Sequence, residues 1–192
     1  MTSSDRTALP TDAKDRAARR VGTVIDGQSG TAGSGLRVGF ACAEFNGAIT
    51  DRLLTGALGV LEAAGGDLAH SVVAWAPGAF ELPLVALRLA QSGSVDAVIA
   101  LGAVIRGDTG HYQFVAGECA AGLQRVQLDT GVPVVFGVLT TDSVEQALVR
   151  SENDEENKGR EAAVCALQMT AVLDGVAAAS ASPRLGFSVG GR

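Results

Sequence analysis

From Leu36 onward, short continuous runs of Val, Ile, Ala and Leu alternate with longer stretches whose apolar residues recur at helical spacing. Arg37-Val38-Gly39-Phe40-Ala41-Cys42 predicts a strand and Glu44-Phe45-Asn46-Gly47 a turn. Ile49, Leu53, Ala57, Val60 and Ala64 then mark one face of a helix that Gly65-Gly66 ends. His70 to Ala76 predicts a second buried strand, and Pro77 to Pro83 a turn leading into a helix that reaches about Gln91. Pro83 suits the first turn of that helix, where its missing amide costs nothing. Ala97 to Ile105 is a continuous apolar run too short to cross a bilayer and rich in Val and Ile, which predicts a strand buried on both faces of a parallel sheet. The turn Arg106 to Gly110 follows, and then a helix with Tyr112, Val115, Cys119 and Val126 on one face. Pro133 to Leu139 predicts a fourth buried strand. Thr140 to Ser143 caps a short helix to Arg150, and a long helix runs from about Asn157 into the Ala-rich 170s.

Strands alternating with helices in this way imply right-handed βα units. The expected fold class is α/β, a flavodoxin-like three-layer sandwich with a four-stranded parallel sheet. The apolar Val21 to Ile25 offers an extra N-terminal edge strand that would pair with a neighbouring subunit. Residues 1–22 read as a flexible extension, 23–180 as one domain and 181–192 as a flexible tail without periodicity.

Composition narrows the function. With 192 residues and 47% apolar content the chain can build one sizeable core. A formal net charge of −6, with no stripe of Lys and Arg interleaved with aromatics, argues against a nucleic-acid partner. Cys42, Cys119 and Cys165 sit far apart in apolar periodic segments and read as reduced core residues of a cytoplasmic protein. No uninterrupted apolar stretch has the length of a membrane helix, and the N-terminus lacks a signal-peptide core.

In a parallel sheet the carboxyl ends of the strands share one rim, the usual place for a ligand. The turns there would bring together Glu44-Phe45-Asn46, Ala79-Phe80-Glu81, Gly107 to His111 and Phe136. Aromatics are only 4% of the chain, yet Phe45, Phe80 and Phe136 all fall beside these turns. A flat heteroaromatic ligand would stack on them, although any one could equally plug the end of the sheet. His111 opens a helix directly after a Gly-rich turn, a setting for proton transfer near neutrality. Glu81 could accept hydrogen bonds from ligand hydroxyls or amines, or simply favour a helix N-terminus. Lys158 follows an acidic run, Glu152 to Glu156; pairing there is the plain account, and a cation acting with Arg150 on an anionic ligand the sharper one. No phosphate-loop, nucleophile-elbow or metal-ligand spacing occurs.

Together these residues resemble the 6,7-dimethyl-8-ribityllumazine synthase family. The resemblance rests on Phe45-Asn46, Pro77-Gly78-Ala79-Phe80-Glu81-Leu82-Pro83-Leu84, Leu101 to Thr109, His111-Tyr112, Val132-Pro133-Val134, Phe136 to Thr141, Glu145-Gln146-Ala147 and Asn157-Lys158-Gly159, in order over about residues 24 to 175. It implies condensation of 5-amino-6-(D-ribitylamino)uracil with 3,4-dihydroxy-2-butanone 4-phosphate, releasing phosphate and water, with neither metal nor organic cofactor. By position it implies that Phe45 stacks on the pyrimidine and that Ala79, Phe80 and Glu81 bind the ribityl-aminouracil. Backbone groups of Ala103, Val104 and Ile105 would meet the ring edge, and Asp108 and Thr109 the phosphate end. His111 would shuttle protons. Phe136, Arg150 and Lys158 would come from the adjacent subunit of a homopentamer, with Arg150 gripping phosphate.

The family's pentamers stand alone, pair, or build a 60-subunit shell. Shell-forming members carry a Gly-Lys-rich kink where this chain has Ser151 to Glu156, and that acidic replacement points to a pentamer or pentamer pair. Gly110 stands where many members have Pro. The alternative function is a catalytically weak homologue that binds flavin or lumazine or serves as an assembly scaffold. Retention of Phe45, Glu81, His111, Arg150 and Lys158 together argues against it.

Overall fold

A computed structural model describes Leu9 and residues 12–28 and 33–181. The flexible tail expected at 181–192 lies outside the described residues except for Ala181, and so does most of the outer N-terminal stretch. The elements are α1 (Ala13–Ala18), β1 (Val38–Ala43), α2 (Gly47–Ala63), β2 (Val72–Ala76), α3 (Leu82–Gln91), β3 (Ala97–Ile105), α4 (His111–Thr130), β4 (Val134–Thr141), α5 (Val144–Val149) and α6 (Lys158–Ala181). The four strands are parallel in the order β2-β1-β3-β4, the expected α/β sandwich. One core, around Phe40, Leu53, Ile99 and Leu101, joins the sheet to α2 and α6; the other, around Leu82, Val98, Leu123 and Val138, joins it to α3 and α4. Each buried Leu in such a core contributes about 1.5–3 kcal/mol.

β3 is buried along its length as its unbroken apolar run predicts, because strands flank it on both edges and helices cover both faces. β2 departs from expectation. It lies at the sheet edge, with Val72, Val73 and Trp75 exposed in the single chain. Its apolar pattern marks a covered strand, but among the described residues of one chain these three side chains stay open. Val21 to Ile25 forms no strand within the chain. Instead Ile25 lies against α6, where a Cβ on Gly175 would come within 2.6 Å of its Cγ2. Before it, α1 buries no residue, and Lys14 pairs with Asp26 at 2.5 Å.

Two of the cysteines are buried as expected, and burial pushes the thiols of Cys42 and Cys119 up to about 12, far from a reactive thiolate. Cys165 is the exception, exposed on α6. That helix is long and apolar enough to cross a membrane by composition alone. Its buried Ala162, Ala163, Ala166 and Leu167 nevertheless pack in the core against α2 and the sheet, which accounts for its apolarity.

Candidate active site

The sheet reverses its winding between β1 and β3, and the turns after these strands are tied together there. Asn46 adopts a left-handed conformation (φ 59°, ψ 34°), and its Nδ2 donates to the Ala103 carbonyl at 2.8 Å. The Glu44 and Phe45 amides donate to the carbonyls of Ala76 and Pro77 at 2.8 and 3.1 Å, fastening the same turn to the end of β2. Three strand ends thus form one rigid rim.

β3 outruns β1 on that rim. Its pairing with β1 stops at Leu101, whereas its pairing with β4 continues through Ile105 and Thr141. Successive residues of a parallel strand turn their backbone groups to opposite neighbours. Ala103 faces β1 and gives its carbonyl to Asn46, so Ile105 also faces that way, with no strand opposite it. Val104 faces β4 and contributes wall rather than hydrogen bonds.

Around this free edge lies a cleft of about 610 Å³. It brings together nine of the expected residues: Phe45, Ala79, Phe80, Glu81, Ala103, Val104, Ile105, Thr109 and His111. Phe45 and Phe80 are 72% and 56% exposed, so they are not core plugs but open aromatic plates. Ala79 to Glu81 form a single 3-10 turn ahead of α3. His111 starts α4, and its amide donates to the Thr109 hydroxyl at 3.4 Å. The first turn of the twenty-residue α4 therefore opens on Gly107 to Gly110, a setting that favours an anion. Asp108 is exposed in this turn but does not line the cleft.

Sequence reasoning missed Tyr112, Phe114 and Val115, which complete the wall. The signal was present in the helical spacing, since Phe114 and Val115 follow His111 at i+3 and i+4. Arg106 is engaged elsewhere. Its Nε donates to Asp142 Oδ1 at 2.6 Å, which raises its pKa, and its guanidinium lies 4.3 Å from the centre of the Tyr112 ring. It locks the turn after β3 to the turn after β4.

Phe136, Arg150 and Lys158 are absent from the cleft. They line a separate hollow of about 400 Å³ where α6 meets the outer edge of β4. Lys158 pairs there with Glu161 of its own helix rather than with the acidic run, and Arg150 Nη1 donates to the Gln146 carbonyl at 2.9 Å. Among the described residues no Lys or Arg lines the cleft, and none lines both places. A larger hollow of about 840 Å³ lies at the amino ends of β3 and β4 and, among the described residues, holds neither histidine nor aromatic residues.

A parallel sheet with its ligand cleft at the winding reversal, aromatic plates and a helix-starting histidine defines a small-molecule enzyme of the α/β class. The family model described as 6,7-dimethyl-8-ribityllumazine synthase matches residues 35–174. Proteins named 6,7-dimethyl-8-ribityllumazine synthase from two strains of Thermus thermophilus are each 51% identical over 142 residues, which is 74% of this chain and 90% of theirs. The chain belongs to the 6,7-dimethyl-8-ribityllumazine synthase family.

Proposed function

We propose that the rim cleft and the hollow beside β4 are two halves of one active site, completed between neighbouring copies in a homopentamer. The reaction is the family's: 5-amino-6-(D-ribitylamino)uracil condenses with 3,4-dihydroxy-2-butanone 4-phosphate to give 6,7-dimethyl-8-ribityllumazine, phosphate and water, in riboflavin biosynthesis. The observation that carries the shared site is the charge distribution. One substrate is a phosphate ester, the cleft has no cationic side chain among the described residues, and Arg150 and Lys158 stand together elsewhere.

In this reading the pyrimidine lies against Phe45, with the free backbone edge of Ile105 beside it. Glu81 takes ribityl hydroxyls near Ala79 and Phe80, and Phe136 of the neighbour closes the ring's other side. The butanone phosphate enters over the Gly107 to Gly110 turn, where Thr109 and the N-terminus of α4 meet its oxygens and Arg150 of the neighbour balances its charge. Asp108 can serve phosphate only through its amide, since its carboxylate would repel the anion. His111 is placed to carry protons while the amine adds to the ketone, water leaves and phosphate is expelled. Holding two substrates in register supplies much of the acceleration, up to about 7–11 kcal/mol in favourable cases, so few acid–base groups are needed.

The pentamer is supported by apolar surface left open in one chain: Trp75 and Val73 on β2, and Phe114 and Leu128 on α4. A pentamer or pentamer pair, rather than a 60-subunit shell, is the assembly favoured by the acidic loop. Three cysteines that stay free as thiols, one of them exposed, support a cytoplasmic location.

The test is to mix the purified protein with both substrates and follow lumazine formation by absorbance, with His111→Ala alongside. Turnover that falls roughly 10²–10⁴-fold in the variant is expected for lost proton transfer. No turnover by assembled wild-type protein would overturn the reading in favour of a binding or scaffold homologue.

A further inference from the structure

Asn157 stands just before α6, where an amide reads as an ordinary helix cap. Its oxygen does that work: Oδ1 accepts from the Gly159 and Arg160 amides at 2.8 and 3.2 Å. Its nitrogen does something a cap does not. Nδ2 donates to the carbonyls of Glu152 at 2.8 Å, Ser151 at 3.1 Å and, more weakly, Arg52 of α2 at 3.4 Å. The side chain is fully buried, at 0% exposure, and so is Ser151 beside it.

The loop filled by this one amide runs between the two cations of the β4 hollow. Arg150 ends α5 at one side and Lys158 begins α6 at the other, and the Lys158 amide closes the loop by donating to the Arg150 carbonyl at 2.9 Å. The fit is also size-limited. A Cβ on Gly56 would lie 2.4 Å from Asn157 Oδ1, and one on Gly159 would lie 1.9 Å from the Leu53 carbonyl oxygen. Two glycines thus let α6 start hard against α2, with the Asn157 amide packed against Gly56. Aspartate would fit but would turn an oxygen toward carbonyl oxygens, and serine could cap α6 without reaching the loop. Phe136 is independent of all this, held in the ladder opposite Ala100.

We infer that Asn157 is a positioning residue: it fixes the separation and aim of Arg150 and Lys158 and thereby sets affinity for the phosphate of the butanone substrate, leaving the aminouracil half of the site alone. This rests on the proposed function, and the two fail separately. An inactive wild type defeats the proposed function; an active wild type puts the inference to its own test.

That test varies each substrate in turn with Asn157→Ser and Asn157→Asp in the full-length assembled protein. A misplacement on the scale of an ångström can cost up to about a hundredfold, so a KM for the butanone phosphate raised roughly 10- to 100-fold is expected. The KM for the aminouracil should stay within about twofold, the spread of ordinary surface changes. Inorganic phosphate, added as a competitor, should inhibit both variants more weakly than wild type. Equal rises in both KM values, a fall in kcat alone or unchanged kinetics would overturn the inference and leave Asn157 a cap. If the serine variant fails to assemble, the aspartate variant, which keeps the size and capping oxygen, carries the measurement; failure of both would make Asn157 a residue of the fold alone.

Discussion

The cleft on the rim and the hollow beside β4 differ in how their parts are held. The cleft is built from strand ends and the first turns of helices, and its recognition groups are largely backbone and aromatic. The hollow is a strand edge joined to a loop, and its distinctive groups are two long cations on either side of Asn157. Each has what the other lacks: the helix-starting histidine in one, the two cations in the other. In the proposed pentamer a neighbour brings the two together, and a closed ring would give every cleft a hollow.

The strongest way to break this comparison is to spoil the halves separately. His111→Ala and Arg150→Ala should each lose at least about a hundredfold in kcat/KM. Co-assembled in equal amounts, the two should regain activity, because about a quarter of the shared sites would draw an intact cleft from one chain and an intact hollow from the other. Activity of the mixed rings no greater than the mean of the two variants would place both residues in one chain's site.

A finer division concerns which substrate each half serves. Phe45→Ala should raise the KM for the aminouracil by roughly tenfold, the value of one aromatic stacking contact, with little change for the butanone phosphate. Steady-state kinetics with each substrate varied would show the reverse pattern if Phe45 served the other half.

The smallest expected effect falls far from both halves, at the amino ends of the strands. Asp96 accepts from the Arg37 side chain and amide, and that partner lowers its carboxyl pKa. A group whose folded pKa is depressed stabilises above its unfolded value of about 3.9 and ceases to as pH falls through the folded value. Asp96→Asn should therefore lower Tm slightly at neutral pH and make little difference in strong acid. A thermal scan across pH checks the sign; equal losses at both ends would mean that the ion pair is not the cause.

The legible parts of the molecule were those whose chemistry is local in the chain. β3 announces itself by a run of apolar residues, and the helix after it by its spacing, so the rim followed with Phe45, Ala79, Phe80, Glu81, Thr109 and His111; Ala103, Val104 and Ile105 entered as site residues only through the family resemblance. β2 was harder because Val72, Val73 and Trp75 look the same whether their cover comes from this chain or another. The short α1 has no apolar face to betray it. Lys158 invited pairing with the nearest carboxylates, but helical geometry brings Glu161 to it from one turn on. Asn157 was visible only as part of the family resemblance, because a buried amide that binds three carbonyls has the same letter as a solvated cap.

The rim, fastened at Asn46 and backed by the β3 ladder, has little left to rearrange when a ligand arrives. Its open plates are Phe45 and Phe80, exposed in the single chain and, in the proposed complex, giving up water to a planar guest. Calorimetry should record that economy as a negative heat-capacity change from the apolar surface covered, with a loss of side-chain freedom confined to a few rotors.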